Sequence, residues 1–364
     1  MTSDANSGGE DARVPFADLT TFVEAVLLEH GVPGPDAELT ARCLVRADAR
    51  GMRSHGLTRL PNYAQRLRAG GVHPIVTLQI LRETASCVLL DGGDGLGPVV
   101  AARATDAAIE KARTTGVGVA GVRRSNHFGE AGFFALQVAE AGMIGIVSTN
   151  GSPNMPPWGG LDKLFGTLPL AIAIPAAQEA PVVLDIAMGV VSKGKILLAA
   201  KQGETIPAGW GVDAQGNPTT DPALVLDGGW MQPIGGYKGS GLIFVLEVLN
   251  GLLTGSGVAE AIGDLYGDPS RPQNLGHLVI VIDVAAFVEL QEFGRAVDSF
   301  IRLVRGSRLA AGHEELLLPG DRERLHEKAA SELGVPVARE TVDELLELAL
   351  LVGAPTGVLE SAVN

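Results

Sequence analysis

The sequence predicts a mixed α/β or α+β fold. Short apolar runs bounded by Gly or Pro alternate with helical patterns from about residue 85 to 290. Both ends of the chain read as helix alone. With 364 residues, 46% of them hydrophobic and 19% charged, the chain can bury a large core. That length suggests about two or three domains.

The elements follow in order. FADLTTFVEAVLLEHGV (16–32) and PDAELTARCLVRADARG (35–51) carry apolar residues at helical spacing and stop at Gly31 and Gly51. Pro61 fits only the first turn of a helix, so the next helix starts near Leu57 and runs to Leu67, before Gly70 and Gly71. SCVLLDGGDGLG (86–97) reads as a strand and a glycine turn. Residues 98–116 read as helix, 117–125 as strand, 131–142 as helix and 143–150 as strand. LAIAIP and PVVLDIA are short apolar strands. Residues 189–203 read as helix. KGSGLIFVLEVLNGLLTG (238–255) reads as a long apolar helix buried on most sides. A core strand (277–287) and an amphipathic helix (290–307) follow. Two charged helices, with Pro336 between them, close the chain. Residues 207–229, rich in Gly, Pro and Asp, read as a surface excursion.

Composition excludes several functions. The net charge is −14, and no Lys/Arg cluster forms a stripe that could track phosphates, so nucleic acid is not expected as a partner. Apolar runs break well short of about 20 residues, so no membrane span is expected. The opening residues are polar and acidic with no apolar stretch, so 1–14 read as a frayed tail rather than a secretory signal. Two cysteines, Cys43 and Cys87, make no disulfide framework; a reducing cytoplasm is the simplest setting. GGDGLG fails the spacing of a Rossmann fingerprint, and the scattered histidines make no zinc motif. No Gly-x-Ser-x-Gly marks a serine nucleophile.

Three stretches carry candidate chemistry. In SHGLTRLPNY (54–63), His55 sits between Ser54 and Gly56 just ahead of a helix, with Arg59 and Tyr63 one turn apart on it. A guanidinium, a phenol and helix N–H groups suit a carboxylate, and a histidine beside a bound 2-oxo acid can shuttle a proton. The alternative is a solvated helix face. In SNHFGEAGF (125–133), His127 lies where a strand gives way to a helix, as either a functional or a buried structural histidine. STNGSPNMPPWGG (148–160) and PIGGYKGSG (233–241) make loops whose backbone can approach a phosphate or a flat ring, with Lys238 at the head of a helix; otherwise they are two tight loops.

Taken together, residues 47–63, 116–135, 142–160, 183–196 and 233–255 resemble, in order and approximate spacing, the type-2 malate/L-lactate dehydrogenase family. The likeness spans about residues 16–350. That family includes ureidoglycolate and sulfolactate dehydrogenases and piperideine-2-carboxylate reductases. The resemblance implies an NAD- or NADP-dependent oxidoreductase acting on a small 2-oxo/2-hydroxy acid, or on a cyclic or N-alkyl imino acid. It also implies a homodimer and a non-Rossmann cofactor domain with a largely antiparallel sheet wrapped by helices. On that plan 15–80 and 310–364 form a helical substrate domain, 81–125 a linking and dimerisation segment, and 126–309 the NAD(P)-binding domain.

By position, His55 resembles the substrate-proximal proton donor. Arg59 resembles a bidentate carboxylate clamp, with Ser54 and Tyr63 beside it. His127 matches the second family histidine, at the nicotinamide, and is followed by Phe128 and Gly129. Asn150, Gly151, Ser152, Asp185, Ile186 and Ala187 match cofactor-contacting segments. Asp185 is also expected to orient a histidine, and Lys238, with Gly239, to meet a cofactor phosphate. Three departures bear on the substrate. Leu168 stands where the family commonly has an amide near the site, Arg53 where an acid is usual, and Ser240 where an aromatic is common. Lys193 and Lys195 could favour a 2′-phosphate.

Overall fold

A computed structural model describes residues 11–363. In chain order the elements are β1 (Ala12–Val14), α1 (Phe16–Glu29), α2 (Gly34–Ala49), α3 (Leu60–Ala69), β2 (Gln79–Glu83), β3 (Cys87–Asp91), α4 (Gly97–Thr115), β4 (Val117–Ser125), α5 (Ala131–Glu140), β5 (Met143–Thr149), β6 (Pro169–Ile174), β7 (Val182–Ala187), α6 (Lys193–Gln202), β8 (Gly211–Val212), β9 (Pro218–Thr219), α7 (Pro222–Leu226), β10 (Trp230–Met231), α8 (Tyr237–Glu247), β11 (Leu275–Asp283), α9 (Leu290–Arg305), α10 (Asp321–Leu333), β12 (Val335–Val337), α11 (Arg339–Val352) and α12 (Gly357–Val363).

The expected mixed α/β architecture is present. Its centre is a seven-stranded sheet of order β2-β3-β4-β11-β5-β6-β7. Only β3 and β4 run parallel; the other neighbours are antiparallel. The parallel pair is joined through α4, a crossover long enough to return the chain. Alanine-rich α4 buries residues on several sides, because it is packed between the sheet and α2. One continuous apolar core therefore runs from Val14 through Val100 and Val279 to Leu345. Terminal helices and sheet share that core.

Several expectations change. Residues 1–10 of the expected tail lie outside the described residues. Ala12–Val14 is a strand, zipped antiparallel onto β12, so Pro336 sits in a strand between its two helices. The missing N–H of Pro336 is tolerable there because the ladder has only two strands. The helix expected over 189–203 begins at Lys193. Residues 207–229 are not irregular: β8 and β9, with β10, form a three-stranded sheet closed by the short α7. Helix α8 gives way to a π-helical turn at Val248–Leu252 and is not buried all round. Leu242, Phe244, Val245, Leu252 and Leu253 are exposed along it.

Candidate active site

A buried carboxylate builds the turn that carries His55. Asp48, near the end of α2, accepts the Leu57 N–H through Oδ2 at 2.5 Å. A Cβ at Gly56 would lie 1.8 Å from that oxygen, so only glycine lets the two approach. Burial raises the Asp48 carboxyl to about 7, against the opposing pull of the Leu57 N–H, Arg53 and Arg59. The folded value is above the unfolded one, so ionisation of Asp48 destabilises the fold as pH rises through about 7. Asp48→Asn keeps an oxygen for the Leu57 N–H and carries no charge. The loss runs from the unfolded value of 3.8 up to about 7, so we expect the Tm of the variant, relative to wild type, to be higher at pH 8.5 than at pH 4; an equal difference at both pH values contradicts the buried proton. Arg53, one residue before Ser54, is held by Asp11 at 2.5 Å, so the segment entering β1 braces the same turn.

Two imidazoles meet above this turn. The rings of His55 and His127 stack with centroids 5.7 Å apart and planes 23° from parallel. Tyr63 Oη lies 2.8 Å from His127 Nδ1 and donates to the His127 carbonyl at 3.0 Å. Both contacts are satisfied when His127 carries its proton on Nδ1 and gives it to the Tyr63 oxygen. Nε2 then keeps its lone pair. His55 Nδ1 contacts Ser54 Oγ at 2.9 Å. Burial, then the Arg59 charge, lowers His55 to about 4. Burial holds His127 well below the ordinary histidine value, with His55, Arg59 and His277 adding to the effect. Both rings are therefore neutral near pH 7 and can accept a proton.

Arg59 lies beside them. Its Nε donates to the Ser54 carbonyl at 2.7 Å, and its Nη1 donates to Tyr266 Oη. Among the described residues it has no carboxylate partner, and Nη2 has no acceptor. Of the nitrogens available for the expected bidentate clamp, Nε is already bound to the protein's own carbonyl.

Asp185 is not where a histidine orienter would be. Its Oδ2 accepts the Gly132 N–H at 2.7 Å, capping the first turn of α5. The partner of His127 Nδ1 is the Tyr63 phenol instead. Asp185 belongs to a buried charged group in which Arg50 donates to Glu130 at 3.1 Å and to Glu327 at 2.9 Å. Burial raises Glu130 to about 7 and Asp185 to about 6.

Phe128 is 1% exposed, between the rings of Phe134 and His277, and so supports the loop from below. Gly129 rests on the Cys43 sulfur. His277, fully buried, uses both nitrogens on Thr149 and Ser125 and has no role beyond packing and bonding.

The glycine loops lie on the far side. Asn150 spends its amide on the Gly257 carbonyl and the Gly276 N–H, so it pins the loop rather than offering a ligand group. Gly151 faces open space, and Ser152 Oγ donates to the Gly263 carbonyl at 3.1 Å. Gly263 N–H in turn bonds the Gln273 carbonyl, and Gln273 Oε1 accepts the His127 N–H. This path ties the Ser152 loop to the histidine loop. Ile186 packs half-buried on the cluster of Met155, Leu168 and Met188, while Ala187 is exposed. Leu168 is fully buried in that cluster, so its departure from the family alters core rather than a substrate wall. Lys238 is exposed in the first turn of α8, and Gly239 packs on the Ile234 carbonyl. The Trp158 N–H donates to Ser240 Oγ at 2.9 Å, which joins the two glycine loops. Reading of the residues passed over Asp48, Arg50, Glu130, Tyr266, Gln273 and His277. Glycine next to histidine was the one signal pointing toward Asp48.

The mixed α/β fold that carries the paired imidazoles and the arginine is that of solved dehydrogenases. Residues 14–346 match the family model described as malate/L-lactate dehydrogenase, and the chain belongs to that family. It is 38% identical over 348 residues to a malate dehydrogenase of Pyrococcus horikoshii, covering 94% of this chain and 96% of that protein. It is 32% identical to a Δ1-pyrroline-2-carboxylate/Δ1-piperideine-2-carboxylate reductase of Pseudomonas putida, covering 92% and 96%. The solved sulfolactate dehydrogenase of Methanocaldococcus jannaschii superposes with a TM-score of 0.90 at 35% identity, covering 97% of this chain and all of that one.

Proposed function

We propose that the chain is an NAD- or NADP-dependent oxidoreductase that moves hydride between nicotinamide and the 2-carbon of a small 2-oxo or 2-hydroxy acid. The observation that carries this reading is the His55–His127 stack, two neutral imidazoles beside an arginine with no carboxylate partner among the described residues. The residues fit a dinucleotide. Gly151 and Gly235 face open space where a ring or phosphate can lie close to backbone. Lys238 and the first-turn N–H groups of the 11-residue α8 suit a phosphate. When bound, the nicotinamide supplies or accepts the hydride.

The protein's residues do the rest. Arg59 binds the carboxylate and fixes the distance and face of the 2-carbon. An imidazole takes the hydroxyl proton in oxidation; in reduction the ring first takes a proton from solvent and then gives it to the developing alkoxide. Tyr63 holds the tautomer of His127. The helical ends supply the substrate side and residues 126–309 the cofactor side.

A cyclic or N-alkyl 2-imino acid is the second reading, favoured by the P. putida relative; the same imidazole would then serve the nitrogen. The exposed apolar residues of α8, with Ile80 on the fully exposed edge strand β2, support a homodimer that covers them. Cys87 is an exposed free thiol, which suits a reducing cytoplasm. No helix of the described residues is long and apolar enough to cross a membrane.

The test is turnover of NADH and NADPH by the full chain with oxaloacetate, pyruvate, 3-sulfopyruvate and Δ1-piperideine-2-carboxylate. At least one acid should consume reduced cofactor. Silence across acids of this kind with both cofactors refutes the proposal.

A further inference from the structure

Tyr266 lies outside every segment that carries the family resemblance, yet its hydroxyl sits on Arg59. It belongs to a surface loop, residues 264–271, held with unusual firmness. Arg66 is 1% exposed and donates to three backbone carbonyls of that loop: Asp264 at 3.3 Å, Asp268 at 3.4 Å, and Arg271. Asp264 Oδ1 accepts the Tyr266 N–H at 3.0 Å, and Asp268 Oδ1 accepts from Ser270. Gly71 packs against the Pro269 carbonyl from below.

This scaffold presents a side chain that is 68% exposed. The Tyr266 ring centroid lies 5.3 Å from the Arg59 guanidinium carbon, and Tyr266 Oη accepts from Arg59 Nη1. In a chain of net charge −14, the partners of Arg59 among the described residues are neutral: a carbonyl and a phenol. The phenol oxygen uses a lone pair on the arginine, so its own proton is left for another acceptor. The neighbouring cation polarises that O–H and strengthens it as a donor.

We infer that Tyr266 is a substrate-binding residue whose O–H, together with Arg59 Nη2–H, holds the two oxygens of the substrate carboxylate. This rests on the reading of the site as one for 2-oxo or imino acids. The arginine supplies charge and one donor. The tyrosine supplies the second donor, in place of the guanidinium nitrogen already bound to Ser54. A planar two-oxygen anion satisfies both donors, whereas an amide or ester of the same acid loses the charge and presents one good acceptor.

Tyr266→Phe removes the O–H and keeps the ring over Arg59. In the full chain, we expect KM for the acid that turns over best to rise about tenfold, with kcat within about twofold and the Kd of NAD(P)H unchanged by fluorescence titration. Tyr266→Leu, lacking the ring as well, should raise KM at least as far. Oxalate binding, measured calorimetrically without turnover, should weaken by a similar factor in Tyr266→Phe. An unchanged KM and an unchanged oxalate affinity overturn the inference, as does a wild type that binds no oxalate. If no acid is turned over while oxalate binds and weakens in Tyr266→Phe, the reading of the reaction fails and the anion site stands.

Discussion

Arg59→Met should lower kcat/KM for the preferred acid by about 30- to 5,000-fold while leaving NAD(P)H binding intact. The estimate follows from removing the charged partner of a desolvated carboxylate, on the order of 2–5 kcal/mol. The site supplies no substitute: among the described residues the next arginine along the chain, Arg66, is committed to the carbonyls of the 264–271 loop. Folding should be little affected, because Arg59 makes no ion pair among the described residues and its neutral partners are exposed. Circular dichroism and cofactor titration establish that the variant is folded. Unchanged steady-state kinetics would remove Arg59 from the substrate.

The second large effect is expected at the imidazoles. His55→Asn should slow hydride transfer in a single turnover by about 10²- to 10⁴-fold, the usual worth of a positioned acid–base group. His127→Asn should slow it less, because its main-chain carbonyl still anchors Tyr63. A reversed order moves the proton-transfer role to His127. If neither variant slows the step, the acid–base assignment falls. The pH profile gives a second check. Both histidines titrate below the ordinary value of 6.5, His55 at about 4. The proton-accepting form therefore persists to lower pH, and the acid limb of kcat/KM for oxidation should lie below 6.5.

Much of the architecture was legible from periodicity. Strand β4 runs over the residues expected, 117–125, because a β-branched run is closed by a helix on one side and polar residues on the other. Helices α1, α2 and α4 likewise stop at or next to the glycines that end their patterns. The His55–Arg59–Tyr63 group was legible because its members sit on successive turns of one short segment. Tyr63 also bonds His127, 64 residues away. Contacts of that range leave no mark on local pattern. Tyr266 was hidden for the same reason: its loop has no period, and Arg66, which binds three of its carbonyls, lies 198 positions or more away in sequence. Buried charges were illegible too. Asp48, Arg50 and Glu130 occupy positions that a helical wheel or a loop assigns to solvent, and tertiary partners alone reverse that. Asp185 was placed correctly at the edge of β7 but given the wrong partner, because a backbone N–H cannot be distinguished from an imidazole without the fold.

The pairing of β1 with β12 has a consequence for how the enzyme is made. Ala12–Val14 leaves the ribosome long before Val335–Val337, so this short ladder stays open until residue 337 has emerged. The Asp11–Arg53 contact beside the reactive turn adjoins that ladder. The brace at the His55 turn is thereby linked to the emergence of β12, and a nascent chain stalled before residue 335 would carry the histidines without it.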